Sequence, residues 1–265
     1  MANLRQEPCY AELLETIREH GSGRRILYAP NVGNWGDGLI HAGTVQFLQD
    51  NGIEFTQVTR AKFSAIRKAL DGTGLRLENT LLISGGGGSY CKTWSGSRKF
   101  LDQHALTFDH VVLMPSTFEL PPLDIDPGRI TYFARDRFNS QAYIPSSSFC
   151  HDMAFYLELD GLDVPPSIDE GFFFREDKER HDQAETPPGN LDLSMLGNHT
   201  QPARGFFQIL ANYRKIYTDR MHVAIAGSLL GRDVVLYPGN YHKSADVFES
   251  SIRENYPASS LASWA

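Results

Sequence analysis

The chain has 265 residues, of which 41% are hydrophobic and 22% charged, so it can form one large α/β unit or two smaller domains. Its formal net charge of −7 at pH 7 excludes a general attraction to nucleic acid or anionic lipid, and any anion site must therefore be local. No apolar run has the length of a membrane span or of a signal-peptide core, so we expect a cytoplasmic protein with no integral membrane segment.

The cysteines and histidines give no indication of a metal centre. Cys9, Cys91 and Cys150 are odd in number and lack the spacing of metal ligands, which favours reduced thiols. No cluster of His, Cys or Asp has ligand spacing elsewhere in the chain, so the sequence predicts no metal site.

The first part of the chain alternates between short apolar runs and amphipathic segments, which is typical of parallel sheets with helical crossovers. The predicted helices cover residues 9–20, 38–49, 63–70 and 95–104. The predicted strands are Arg25–Ala29, Ile53–Val58, Thr80–Ser84, His110–Met114 and Arg129–Phe133, followed by a strand and turn over Phe149–Leu157.

A glycine-rich turn, Asn34-Trp35-Gly36-Asp37, lies between the first predicted strand and its helix. Open α/β folds bind ligands in such loops, at the carboxyl ends of their strands. Asn and Asp also stabilise turns by bonding their own backbone. The sequence leaves both roles open for Asn34 and Asp37.

A second candidate lies after the strand Thr80–Ser84, where four glycines, Gly85 to Gly88, follow directly. Successive glycines let a ligand approach the backbone closely, and their N–H groups can hold a phosphate. The alternative is a tight crossing of chain segments that involves no ligand. Arg135 follows the strand Arg129–Phe133 at the same predicted sheet edge, where it can form an ion pair with Asp136 or Asp152.

The second part of the chain repeats the alternation after a polar connection over residues 176–204. Its predicted strands are Phe172–Phe174, a strand ending at Ile216 and Tyr217, and Val234–Tyr237; its predicted helices are Ala203–Arg214, the segment from Thr218 to Gly231, and Val247–Asn255. Lys243 lies just past the last predicted strand.

The start of the helix after Thr218 breaks a local rule. Thr218 is a suitable N-cap, but Arg220 and His222 then lie where the helix dipole is positive and carboxylates are favoured. Cations beside free N–H groups form an anion site, and such conflicts often mark function. The alternative is a surface arginine and a half-buried histidine.

Thr218, Arg220 and His222 match a Ser/Thr-x-Arg-x-His element, and the chain resembles the polysaccharide pyruvyl transferase family in this element, in the Asn34–Asp37 turn and in the glycine run. The resemblance implies an α/β fold with two Rossmann-like halves facing a cleft, as in GT-B glycosyltransferases, with mainly parallel sheets. Residues 1–165 would form the acceptor-side domain and residues 166–265 a smaller domain with the donor element. A single continuous sheet is the alternative.

The resemblance implies a transferase that moves the pyruvyl group of phosphoenolpyruvate onto a sugar of a cell-surface polysaccharide or exopolysaccharide, or of its precursor. The products are a pyruvate ketal and phosphate. Phosphoenolpyruvate is a co-substrate and no cofactor is needed. The acceptor is a saccharide, free or lipid-linked, and the enzyme works in the cytoplasm, including the inner face of the membrane.

The resemblance also implies residue roles. His222 is the catalytic acid or base, since histidine has an unperturbed pKa of about 6.5. The implied donor ligands are Arg220, Arg135, Lys243, Gly86 and Gly87, and the implied acceptor-side residues are Asn34 and Asp37.

Two other functions fit the same residues. A nucleotide-sugar glycosyltransferase of GT-B type would hold a diphosphate in a basic cleft, but no nucleoside-binding element is evident in the second half. A non-catalytic sugar-phosphate binding protein would keep the anion site without turnover, and the short chain favours this alternative over an enzyme.

Overall fold

The computed structural model describes residues 4–69, 77–158, 160–162 and 164–264. These residues form two units. The large-sheet unit consists of Gln6–Val32 and Thr44–Asp152. The small-sheet unit consists of Gly33–Gly43 and the chain from Met153 onward, together with Leu4 and Arg5.

One early segment of the chain belongs to the small-sheet unit, in contrast to a simple boundary at residue 165. Residues 33–43, which contain the Asn34–Asp37 turn, belong to the small-sheet unit although they lie early in the chain. The backbone explains this assignment, because His199 donates its N–H to the carbonyl of Gly33 at 3.1 Å and Asn34 forms an antiparallel bridge with Asn198. Residues 33–34 and 198–199 are far apart in the chain, so a local sequence pattern cannot predict that they are in contact.

The large-sheet unit contains a parallel sheet whose strand order is β2-β1-β3-β5-β6-β7, with β4 paired to β5. Every strand pair described in it is parallel, as predicted. The strands are β1 (Arg25–Ala29), β2 (Thr56–Gln57), β3 (Leu77–Ser84), β4 (Gly87–Tyr90), β5 (Phe108–Phe118), β6 (Ile130–Ala134) and β7 (Ser148–Phe149). The helices are α1 (Pro8–Gly21), α2 (Trp35–Asp50, which continues from the small-sheet unit), α3 (Arg60–Ala69), α4 (Gly96–His104) and α5 (Asn139–Tyr143).

The core of the large-sheet unit is made by the apolar runs that predicted the strands. Leu27, Leu82, Val111 and Leu113 are buried in one cluster with aromatic rings from both the strands and the helices. Continuous apolar runs are expected where both faces of a parallel sheet are covered.

The small-sheet unit contains a second parallel sheet, with the strand order β11-β10-β9-β8. The strands are β8 (Ile168–Phe173), β9 (Tyr213–Thr218), β10 (Asp233–Leu236) and β11 (Ser259–Leu261), and the helices are α6 (Ala203–Ala211), α7 (Met221–Leu229) and α8 (Lys243–Val247). Helix α7 is apolar on all sides and is buried from Val223 to Ser228, as expected for a helix inside a core. Gly231 follows it with a φ of 66°, which confirms the predicted helix end.

Some predicted elements differ from the structure. The strands β4 and β11 were not predicted, because glycine and serine are poor strand formers. The predicted strand and turn over Phe149–Leu157 is a strand only at Ser148–Phe149, and the buried run Met153–Tyr156 is a 3₁₀ turn. The predicted closing helix begins earlier, as α8, and continues as a π-helical turn at Phe248–Ile252. The predicted helix over residues 63–70 is α3, and Leu70 lies outside the described residues.

The overall class is therefore α/β with mainly parallel sheets, as predicted. None of the helices formed by the described residues is both long enough and apolar enough to cross a membrane.

Candidate functional site

The carboxyl edge of the small sheet is where chemically active side chains collect. Arg175 lies just beyond β8, Asp219 and Arg220 follow β9, and Lys243 opens α8 after the turn that leaves β10. Parallel strands end at the same edge, and this edge is where open α/β sheets bind ligands. The order of elements therefore places three cations and a carboxylate at the position expected for a site.

Arg220 is the N-cap of α7 rather than a residue of its first turn. The Thr218 hydroxyl donates to the Phe173 carbonyl at 2.7 Å and accepts the Arg220 backbone N–H at 2.9 Å. Thr218 therefore stabilises a turn before the helix, which begins at Met221, and the predicted N-cap role of Thr218 is wrong. His222 is the second residue of α7.

The guanidinium of Arg220 is buried, with 3% of the residue exposed, and binds two carboxylates. Nε and Nη2 donate to the two oxygens of Asp192 at 2.9 and 2.5 Å. Nη1 lies 2.7 Å from Asp177 Oδ2. Burial opposes the charge, but the hydrogen bonds and charges of Asp192 and Asp177 prevail and raise the pKa of Arg220.

Lys243 belongs to the same array of charges. Its Nζ lies 2.7 Å from Glu179 Oε2, and Arg175 binds the same carboxylate. Tyr241 donates its hydroxyl to Glu179 Oε1 at 2.9 Å. Burial would raise the pKa of Glu179, yet the charges of Lys243 and Arg175 lower it well below its usual value.

Arg175 joins the two groups, because its Nε lies 3.6 Å from Asp177 Oδ1. We call the whole array the charged network; in order of contact it consists of Asp192, Arg220, Asp177, Arg175, Glu179 and Lys243. Its three carboxylates all come from the connection over residues 176–204. That connection, expected to be a long irregular loop, is thus held to the sheet edge by ion pairs.

Asp219 differs from the carboxylates of the network. It is 1% exposed, and its Oδ1 accepts the backbone N–H of Arg175 at 2.7 Å. Its Oδ2 is buried and has no hydrogen-bond partner among the described residues. Burial raises the pKa of Asp219 to about 6, against the lowering effect of Arg175 and Arg220. Asp219 can therefore carry a proton near neutral pH, a role that the sequence did not reveal.

The Asn34–Asp37 turn packs on His222. Asn34 Oδ1 accepts the N–H of Gly36 at 2.9 Å, and Asp37 Oδ2 accepts the N–H of Asn34 at 3.0 Å. A Cβ added at Gly36 would lie 2.6 Å from Nδ1 of His222, so glycine is required for this close approach. Both predicted acceptor-side residues thus stabilise the turn, and the turn lies in the same unit as His222.

The other predicted donor residues lie in the large-sheet unit. Arg135 is 1% exposed, with its Nη1 2.6 Å from Asp152 Oδ2 and its Nε 2.8 Å from Thr117 Oγ1. This is the ion pair that the sequence left open as the alternative to anion binding. The charge of Arg135 is therefore balanced by Asp152.

The glycine run is only partly a loop, because Gly87 and Gly88 begin β4. A Cβ on Gly86 would lie 2.3 Å from the Pro115 carbonyl oxygen, and Gly87 has a φ of 114°. The close carbonyl at Gly86 and the positive φ at Gly87 therefore require glycine without any ligand. Arg60, which the sequence analysis did not single out, donates to the Gly85 carbonyl at 3.4 Å and to Ser97 Oγ at 3.0 Å.

Comparisons with known proteins find a similar fold, but they assign no activity to the chain. No protein-family model matches the chain, and no curated protein matches it. Among solved structures, the chain is similar to the crystal structure of a functional uncharacterized protein, KP1_0663, from Klebsiella pneumoniae subsp. pneumoniae NTUH-K2044. The TM-score is 0.77 at 25% identity, and the match covers 99% of each chain. The architecture of the two units therefore recurs over the whole length of another protein.

Proposed function

We propose that the protein is a pyruvyl transferase that takes the pyruvyl group from phosphoenolpyruvate at the carboxyl edge of the small sheet. The observation that carries the proposal is the placement of the Thr218-x-Arg220-x-His222 element. It lies at the carboxyl end of β9, where the ion pairs of the charged network connect Arg220 to Arg175 and Lys243. The predicted GT-B-like arrangement of two Rossmann-like units is part of the proposal.

The donor needs cations and N–H groups for its carboxylate and phosphate. Lys243 supplies a compact charge, and its side chain is 14% exposed, so it is open to solvent while bound to Glu179. The N-terminus of α7 adds N–H groups, since Arg220 caps this helix without a side-chain hydrogen bond to it. Arg220 fixes the position of this helix end through Asp192 and Asp177, and its role in donor binding is correspondingly indirect.

The reaction needs two proton movements. C3 of the donor gains a proton, which leaves C2 as a cation that two sugar hydroxyls attack in turn, with loss of phosphate. The two hydroxyl protons end on C3 and on the departing phosphate, so the overall reaction requires no further reactant. His222 moves one of these protons, and Asp219, with its pKa of about 6, provides a second group that exchanges a proton near neutral pH.

The acceptor would lie on the side of His222 formed by the Asn34–Asp37 turn. Asn34 and Asp37 hold this turn through their own backbone contacts. Their part in acceptor binding is therefore to position the backbone next to His222.

Donor choice tests this function against its alternatives. Phosphoenolpyruvate at 100 times its Kd should stabilise the protein by about 2.7 kcal/mol, which corresponds to a rise in melting temperature of roughly 5 °C or more. UDP, GDP and inorganic phosphate serve as controls at the same concentration and should stabilise it less. The measurement is a thermal-shift series over donor concentration.

Stabilisation by UDP or GDP with none by phosphoenolpyruvate would contradict the proposal and favour a nucleotide-sugar glycosyltransferase. Equal stabilisation by inorganic phosphate would favour a sugar-phosphate binding protein without turnover.

A further inference from the structure

A pair of cysteines and a histidine form a separate cluster in the large-sheet unit. Cys9 is the second residue of α1, which starts at Pro8, and its side chain is half-buried. A thiol at a helix N-terminus lies in a positive potential that favours the thiolate. This position alone makes Cys9 unlike Cys91, which is buried and donates to the Thr117 carbonyl at 3.4 Å.

Cys150 and His151 bring hydrogen bonds to the Cys9 sulfur. Cys150 follows β7 and is anchored there by its backbone N–H, which donates to the Ala134 carbonyl at 2.9 Å. The first turn of α1 packs on the segment after β7, because Tyr10 donates its hydroxyl to the Asp152 carbonyl at 3.3 Å and its ring centre lies 6.1 Å from that of His151. In this contact the Cys150 thiol and His151 hydrogen-bond to Cys9. The His151 ring is held against Phe149, with ring centres 4.9 Å apart.

The two thiols are chemically unequal. The hydrogen bond from Cys150 lowers the pKa of Cys9 to about 4; burial opposes this effect and His151 supports it. Burial, followed by the interaction with Cys9, raises the pKa of Cys150 well above its usual value. Glu12 and Asp152 also act on Cys150, and both disfavour a thiolate there. The surroundings of the two sulfurs agree with these opposite directions, because Cys9 is half-buried at the start of α1 and Cys150 is buried.

We propose that Cys9 and Cys150 form a peroxide-sensitive dithiol, with Cys9 as the attacking thiolate and Cys150 as the resolving thiol. The Cys9 sulfur attacks one oxygen of hydrogen peroxide, which breaks the O–O bond, releases water after protonation and leaves a sulfenic acid. The Cys150 sulfur then attacks the Cys9 sulfur, and a second water leaves with the Cys150 proton. Two thiols are oxidised to one disulfide, and one peroxide is reduced to two waters. His151 is a positioning residue that holds the Cys9 thiolate.

The test is the reaction of the whole protein with hydrogen peroxide, read by intact mass and by peptide mapping. The wild type should lose two hydrogens and show one Cys9–Cys150 linked peptide. Cys150→Ser should stop at a sulfenic acid on Cys9 that dimedone traps, and Cys9→Ser should not react. Cys91→Ser is the matched control and should behave as the wild type does.

Alkylation with iodoacetamide tests the thiolate without any oxidation. An ordinary thiol with a pKa near 8.5 reacts about 100-fold more slowly at pH 6 than at pH 8.5. The rate at Cys9 should change by less than about tenfold, and His151→Gln should restore part of the ordinary pH dependence. An ordinary profile at Cys9, or peroxide oxidation that gives no Cys9–Cys150 disulfide in the folded wild type, would overturn the proposal.

Discussion

His222→Gln should lower kcat by about 10²–10⁴-fold, the usual contribution of general acid–base catalysis. Glutamine keeps the approximate size and some hydrogen bonding of histidine but cannot transfer a proton. The Kd for phosphoenolpyruvate and the melting temperature should change far less, because the half-buried ring packs on the turn at Gly36 and glutamine fills much of the same space. The readouts are phosphate release from phosphoenolpyruvate with a saccharide acceptor, donor titration and a thermal melt.

The matched control is His181→Gln, a histidine of the same unit that stacks on Trp264. Its kcat should stay within a few-fold of the wild type. If His222→Gln also keeps its activity per folded molecule and loses only thermal stability, His222 is a packed side chain and the proposed proton transfer is wrong.

Arg220→Ala should lower the free energy of unfolding by about 3–5 kcal/mol, the scale for breaking a buried ion pair by removing one partner. The variant leaves Asp192, which is buried, and Asp177, which is partly buried, without the guanidinium that binds both. Arg220→Lys should recover part of the loss, because an ammonium cannot replace the bidentate contact with Asp192. Urea unfolding at constant pH measures both changes.

Arg214→Ala is the control for this effect. Its ion pair with Asp169 connects β9 with β8 in the same sheet, and both side chains are exposed. Exposed pairs contribute at most about 1 kcal/mol. A loss for Arg220→Ala as small as that for Arg214→Ala would mean that the guanidinium does not hold the two carboxylates in place.

The sequence predicted the fold well where local pattern decides it. Strand β1 was predicted with the bounds that it has, because Arg25–Ala29 is a short apolar run that ends at a turn. The class with mainly parallel sheets followed from the alternation of strands and helices. Strand β4 was missed, because it begins with two glycines and a serine, which are poor strand formers, and its pairing with β5 depends on the tertiary fold.

The positions of some candidate site residues could also be predicted from local patterns, but their partners could not. Thr218, Arg220 and His222 lie at the sheet edge that the sequence indicated, and Lys243 joins the network of Arg220. The partners of Arg220 are Asp177 and Asp192, which come from a polar connection without any periodicity. Arg220 is distant from both carboxylates in the sequence, and the tertiary fold brings them together. The sequence therefore could not show that carboxylates neutralise the charge of Arg220 at this sheet edge.

Asp219 was missed for a related reason. The sequence shows a carboxylate near the start of a helix, which is where one is favoured. Only the fold buries it and leaves its Oδ2 without a hydrogen-bond partner among the described residues. A titratable group that exchanges a proton near neutral pH therefore became visible only with the packing of β9 and Arg175.

Titration of phosphoenolpyruvate into Lys243→Gln is the most direct test of the claim that the donor binds at the carboxyl edge of the small sheet. Removing this charge should weaken donor binding by about 1.5–3 kcal/mol, or roughly 10–150-fold in Kd. Lys215→Gln, on β9 and away from the network, should leave the Kd unchanged. Unchanged donor affinity in a folded Lys243→Gln protein, or equal losses in both variants, would contradict the account.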